Sequence, residues 1–202
     1  ALDVWDPPPG DHRPEAERWR TVITSLIASD AGLGWSWEGR YPGDGSGAEW
    51  CGAFASACWG AAGLPLATRR RSWASCLRLQ RWASCRPGTD GKPNPPPKVG
   101  ARICIALDEH ARTLPAGYTF RPGDVIIVGG VGSGAGRHIT VAESFDGEAF
   151  ATVEGNGVGL GPDGKRRQGI VRARRPLGLR AGQGPHVYHA RWIVRPAAGD
   201  LT

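Results

Sequence analysis

The sequence predicts an α+β fold, with a helical amino-terminal half packed on a carboxy-terminal antiparallel sheet. Apolar residues recur at helical spacing in the first third of the chain, where Trp19, Val22, Ile23 and Leu26 fall on one stripe. From Phe120 onward the period changes to short β-branched runs separated by Gly and Pro turns. The totals agree: 202 residues with 31 Gly, 17 Pro and 9 Trp describe one loop-rich globular domain rather than a helical bundle. No apolar run approaches the ~18 residues that a membrane span needs.

In chain order, residues 1–13 with Pro7-Pro8-Pro9-Gly10 read as a stiff, exposed leader. A helix follows over Pro14 to Ser29, with Pro14 at its first turn and Asp30-Ala31-Gly32 ending it. Residues 34–47 read as a loop holding Trp35, Trp37 and Tyr41. A second helix runs from Cys51 to Ala62: it lacks β-branched residues, is richest in Ala, and stops at Gly63 with Pro65 beyond. The echo Trp73-Ala-Ser-Cys76 and Trp82-Ala-Ser-Cys85 lies in a stretch expected to hold a further helix or two. It gives way to a loop over 86–100 containing five prolines. Ile103 to Leu114 is ambiguous between helix and strand, and the reading leans to helix. Strands are predicted at 125–128, 138–144, 148–154, 169–172 and 187–194, and the sequence treats 14–196 as a single domain followed by a 197–202 tail.

The net charge of +6 is unevenly spread: residues 1–50 carry −5 and the remainder +11. Between Gly164 and Gly199 stand nine Lys and Arg and no acid. Such a stretch suits contact with an anionic polymer, or it is the solvated face of a strand. No nucleic-acid-binding motif accompanies it, and the aromatics are not interleaved with the arginines. The amino terminus shows no signal-peptide pattern. Met is absent, so the chain is expected to be either a trimmed fragment or one that has lost its initiator, and an export signal could have gone with it.

Of five cysteines, Cys58, Cys76, Cys85 and Cys104 allow three disulfide connectivities if Cys51 is set aside. Cysteine density is far below that of a disulfide scaffold and no C-x-x-C pair exists, so no structural metal is expected. Cys51 differs from the other four. It stands at the first turn of its helix, where unpaired backbone N–H groups and the positive end of the helix dipole favour thiolate over thiol. The plain alternative is a small core cysteine, a reading that also fits Cys58.

A nucleophile needs a base. Residues 138–144 alternate, with Ile139 and Val141 on one face and His138 and Thr140 on the other. If Phe145-Asp146-Gly147 forms a three-residue loop with Gly147 left-handed, then Ser144 pairs with Glu148, Ile139 with Val153, and His138 with Glu154. A two-residue turn would instead set Ile139 beside Glu154, which the apolar pattern disfavours. The favoured pairing places an imidazole across from a carboxylate, with Asn156 diagonally placed, the orienter and base of a nucleophile-base-orienter arrangement. His110, His186 and His189 are rival bases.

Four motifs in order carry a resemblance: Trp50-Cys51-Gly52-Ala53-Phe54, Pro122-Gly123-Asp124-Val125, His138-Ile139-Thr140-Val141 and Val153-Glu154-Gly155-Asn156. Together they resemble the CHAP family of cysteine, histidine-dependent amidohydrolases and peptidases, over about Pro14 to Pro196. The resemblance implies a papain-like catalytic domain with Cys51 as nucleophile, His138 as general base, Glu154 as orienting group and Asn156 in support. It implies hydrolysis of peptidoglycan amide bonds at the cell wall, between muramic acid and L-alanine or within the stem peptide and cross-bridge, with no cofactor. Trp50, Trp37 and Tyr41 are candidates to line the substrate groove, against a plain packing role. Some family members bind calcium through acids ahead of the cysteine. Here only Asp44 stands close, so calcium is not expected. The interval from Cys51 to His138 is longer than usual, which leaves substrate preference open.

The expected partners are peptidoglycan or its stem peptides, with anionic-polymer contact through 164–199, and the chain is expected to be a monomer. Two other readings stay open. One is a papain-like amidase or deamidase toxin acting on a protein or peptide conjugate. The other is a basic, non-catalytic binding module. Lysin, autolysin and interbacterial effector are not distinguished.

Overall fold

The computed structural model describes residues 4–5, 10–29, 50–62, 76, 79, 103–130, 138–180 and 187–195. Its main feature is a six-stranded antiparallel sheet, not a helical half packed on a carboxy-terminal sheet, and this corrects the predicted arrangement. The elements are helices α1 (Pro14–Ser29) and α2 (Cys51–Ala61) and strands β1 (Ile103–Ala106), β2 (Val125–Gly129), β3 (His138–Phe145), β4 (Ala149–Leu160), β5 (Arg166–Pro176) and β6 (His189–Arg195). The strand order is β1-β6-β2-β3-β4-β5.

The departure from prediction arises in two places. Ile103 onward, expected as helix, is a strand whose Cys104 and Ile105 stand opposite Val194 and Ile193, so pairing with β6 overrides the local ambiguity. Strands β4 and β5 also run well beyond their predicted ends. In the expected helical region between α2 and β1, the described residues are Cys76 and Leu79, both helical and buried. The 86–100 loop lies outside the described residues, as do Trp37 and Tyr41.

Contacts divide the chain into two compact units, Ala1–Ala74 with Glu154–Arg172, and Ser75–Val153 with Ala173–Thr202. In the first, α1 packs against α2. The apolar stripe of α1 is buried at Ala16, Trp19 and Ile23, and Trp19 joins Trp5 and Val171 in a cluster. The leader thus contributes to a core. Trp5 bridges Gly169 of β5, and the Ile170 N–H donates to the Val4 carbonyl at 2.8 Å. Gly169 permits this approach, because a Cβ there would fall 2.4 Å from the Val4 oxygen.

In the second unit Ile126, Val128, Ala142, Phe150, Leu177, Ala190 and Ile193 form the core with Leu107. Each such side chain, fully buried, contributes roughly 1.5–3 kcal/mol for the larger aliphatics. Every residue of β2 is buried, as the unbroken run Val125-Ile126-Ile127-Val128 leads one to expect for a central strand. Phe120, Phe145 and Phe150 stack in tilted geometry at the hairpin end of the core, with the last two ring centroids 4.7 Å apart.

The turn Arg121-Pro122-Gly123-Asp124 ties the strands together. Asp124 is 1% exposed and takes a bidentate pair from Arg195 of β6, Nε to Oδ1 at 2.6 Å and Nη2 to Oδ2 at 2.7 Å. Tyr118 Oη and the Arg121 N–H also donate to Asp124 Oδ2, and Arg195 Nη2 reaches the Thr119 carbonyl at 2.8 Å. Burial, with the Asp124 carboxylate beside it, pushes the Tyr118 phenol well above its ordinary value. Breaking a buried pair on one side leaves an uncompensated charge. Asp124→Ala is therefore expected to cost about 3–5 kcal/mol in urea unfolding, whereas a loss below about 1 kcal/mol, the range of exposed pairs, would show that solvent screens it.

Candidate functional site

Cys51 is the first residue of α2 and is 1% exposed. Trp50 precedes it as the N-cap residue without any side-chain cap, and the first turn carries no acid. The Phe54 N–H closes that turn on the Trp50 carbonyl at 2.9 Å. The N–H groups of a first helical turn have no carbonyl one turn earlier, so this end of α2 presents donors and partial positive charge to a thiolate. Two turns on, Cys58 is a contrast: burial pushes its thiol above the ordinary value, keeping it protonated. Cys58 is a free thiol.

Against this helix start lies Glu154-Gly155-Asn156 of β4. A Cβ at Gly155 would stand 2.3 Å from Phe54 Cβ and 2.8 Å from Trp50 Cζ3, so β4 touches α2 backbone to side chain. Glu154 is 0% exposed. Its carboxylate turns along its own strand, since a Cβ at Gly157 would lie 3.3 Å from Glu154 Oε2 and 2.4 Å from Val171 Cγ2. The turn is possible because Asn156 has φ 59, the left-handed region, and is the sole non-Gly residue so placed among the described residues. Asn tolerates this conformation better than most side chains. Glycine at every second position from 155 to 161 gives the strand a bare face, a signal legible in the sequence.

His138 opens β3 opposite Val128 and is half-buried. Thr140, next on the same face, donates its hydroxyl to the Ile126 carbonyl at 3.2 Å. The β3–β4 register differs from the expected one. Val141 faces Val153 and Ala142 faces Thr152, then a shift at Glu143 sets Phe145 opposite Phe150. Val153, expected opposite Ile139, is thus two residues displaced, and the pairing of His138 with Glu154 derived from that register loses its basis. Gly147 is left-handed as predicted, at φ 98. The loop it belongs to is longer, because the Asp146 carboxylate accepts both the Glu148 and Ala149 N–H groups at 2.9 Å. Arg174, bonding its other oxygen, holds Asp146 far below the usual carboxylate range.

Cys51, Glu154 and Asn156 therefore belong to the first unit, and His138 to the second. Of the groove candidates, Trp50 is buried against Gly155 and packs rather than offering a face to substrate. Among rival histidines, His110 is exposed and His186 lies outside the described residues. His189 neighbours Ala190, which shares a row with Val128 and His138, so it points to the opposite face of the sheet from His138.

The basic stretch is largely answered by acids. Arg167 pairs with Asp163, Arg174 with Asp146, Arg180 with Glu148, Arg191 with Glu109 and Arg195 with Asp124. Arg175 lies over the Tyr188 ring, 5.9 Å from its centroid. Much of the local positive charge serves the fold. Compared with family models, curated proteins and solved structures, the chain matched none of the three.

Two measurements check these placements. Gly155→Ala forces a methyl into Phe54 and is expected to destabilise by about 1–3 kcal/mol, read as a lowered urea midpoint; an unchanged midpoint would mean that β4 does not touch α2. His189 is fully buried, and neither ring nitrogen has a side-chain or backbone partner meeting hydrogen-bond geometry among the described residues. Burial foremost, and the charge of Arg191, hold it below the usual 6.5. The unfolded chain takes up the proton first, so this contribution to stability is complete above about pH 6.5 and is lost as pH falls below it. His189→Leu is expected to flatten the fall in stability between pH 7.5 and 5.5, and an unaltered slope would assign it to other groups.

Proposed function

We propose that the chain is a cysteine hydrolase, a peptidoglycan amidase or endopeptidase of the CHAP kind, acting at the cell wall after delivery. The observation that carries this reading is the seating of Cys51. It heads a helix with no acid in its first turn, and the bare strand at Gly155 holds that turn against Glu154 and Asn156.

In the mechanism, Cys51 Sγ attacks the amide carbonyl carbon as thiolate, its proton resting on His138. The new C–S bond puts negative charge on the carbonyl oxygen, which the N–H groups at the start of α2 stabilise. His138 gives its proton to the nitrogen as the C–N bond breaks and the amine departs. It then takes a proton from water, whose oxygen adds to the thioester, and the acid leaves as Cys51 is restored. By the CHAP resemblance, and no longer by the β3–β4 register, Glu154 orients the imidazole and fixes its tautomer, with Asn156 in support. The reading requires His138 to reach Cys51 in the substrate complex.

The same chemistry serves an amidase or deamidase acting on a protein or peptide conjugate, and the products distinguish the two. The basic binding module is less favoured, since five of its nine cations are in ion pairs with acids of this chain.

Digestion of purified peptidoglycan by the wild type and by Cys51→Ala, with mass analysis of the fragments, tests the proposal. Release by the wild type with at least a thousandfold loss in the mutant is expected, a magnitude on the order of that for removing a nucleophile. Equal release by both would refute the role of Cys51. Asn156→Gly keeps the left-handed backbone without the side chain: a wild-type rate would make Asn156 a conformational residue, and a fall of about tenfold or more would make it a participant.

A further inference from the structure

We propose that an open cleft of about 580 Å³ in the second unit, lined by Ala111, Arg112, Glu148, Gly178 and Arg180, binds an oxyanion, the carboxylate or phosphate group of an anionic polymer. Its floor is rigid. The Leu177 N–H donates to the Glu148 carbonyl at 2.9 Å and the Leu179 N–H to the Glu109 carbonyl at 2.7 Å, which pins the segment after β5 between the hairpin and the 109–112 turn. Leu177 and Leu179 are buried beneath it. Gly178 is required there, because a Cβ would fall 2.5 Å from the Ala111 carbonyl oxygen.

Two guanidinium groups rise from this floor in different electrostatic states. Arg180 Nη2 is paired with Glu148 Oε2 at 2.6 Å, and Glu148 is also 3.8 Å from Arg174, which mainly bonds Asp146. Arg112 donates through Nη1 to the Leu179 carbonyl at 2.7 Å, and no carboxylate pairs with it among the described residues. That bond fixes the guanidinium and leaves its charge uncompensated. Counting Arg112, Arg174 and Arg180 against Asp146 and Glu148, the cleft and its rim carry one excess positive charge. An anion completes Arg112 with charge-assisted bonds and competes with Glu148 for Arg180.

Within its own unit this site is separate from His138. It adjoins the tip of the β3–β4 hairpin, and β3 extends from His138 to Phe145, so about 23 Å of strand separates it from His138. Its place is that of a second anchor for a charged polymer, and the binding is read without turnover, so it stands or falls apart from the hydrolase reading.

The competition gives the test its sign. Inorganic phosphate and succinate are titrated separately into the intact chain at pH 7 and constant ionic strength, following the backbone amide resonances of Gly178 and Leu179. Saturable shifts are expected with at least one probe, weakened about tenfold by Arg112→Gln and less by Arg112→Lys. Glu148→Gln, which frees Arg180, is expected to tighten binding severalfold. Phosphate alone points to a phosphate-bearing polymer, succinate alone to carboxylates, and both to a general oxyanion site. Absence of saturable shifts with either probe, an unchanged affinity in Arg112→Gln, or weaker binding in Glu148→Gln overturns the proposal.

Discussion

The missing side chain at Gly155 is the constraint on which the candidate site depends. At that position the strand backbone runs close enough to Phe54 and Trp50 that one methyl group would collide with both. The consequence is positional: the first turn of α2, with Cys51 at its head, is held to β4 where Glu154 and Asn156 stand. The same device recurs along the strand. Gly157 admits Val171 and Gly159 admits both Val171 and Trp5, so β4 is closely covered by its neighbours through the positions it leaves empty. Asn156 stands in the left-handed region within this run. Backbone strain of this kind collects where a structure must aim a side chain.

Charge in this protein works mainly inward. The carboxy-terminal arginines look in sequence like an exposed cationic belt, yet Arg195 closes the Asp124 turn, Arg191 pairs with Glu109, and Arg174 and Arg180 hold the acids of the hairpin tip. Their partners are distant in the chain. A tally by stretch sees the bases without the acids that meet them. What is left for a ligand is the smaller excess around Arg112, which comes from outside the basic stretch.

Local signals in the sequence carry both helices and the central strand. Pro14 and the Glu15, Glu17 turn mark the start of α1, and Cys51 to Ala61 is helical because nothing in it is β-branched and Gly63 follows. The central strand Val125 to Val128 was legible as an unbroken apolar run. What failed was non-local. Alternation fixes which face a side chain takes but cannot see a shift of two residues, so the β3–β4 register slipped by two while Ile139 and Thr140 kept their faces. The bulge at Glu143 and the Asp146 turn set the true register, and neither has a strong pattern. The sheet-dominated fold is hidden in the sequence for a related reason. The predicted strand stops at Glu154 whereas β4 continues to Leu160, and Ile103 to Ala106 becomes a strand through its partner β6, which the local sequence does not reveal.

The central claim is that Cys51 is a nucleophile and not merely a core thiol, and its burial makes the distinction sharp. Burial alone opposes a thiolate, whereas a helix start and a histidine base favour one. The direct measurement is the rate of alkylation of each cysteine by iodoacetamide at pH 6, resolved by peptide mass analysis, in the wild type and in His138→Ala. The account predicts that Cys51 reacts well ahead of Cys58 and loses that lead in His138→Ala. A Cys51 no faster than Cys58, or indifferent to His138, would contradict it.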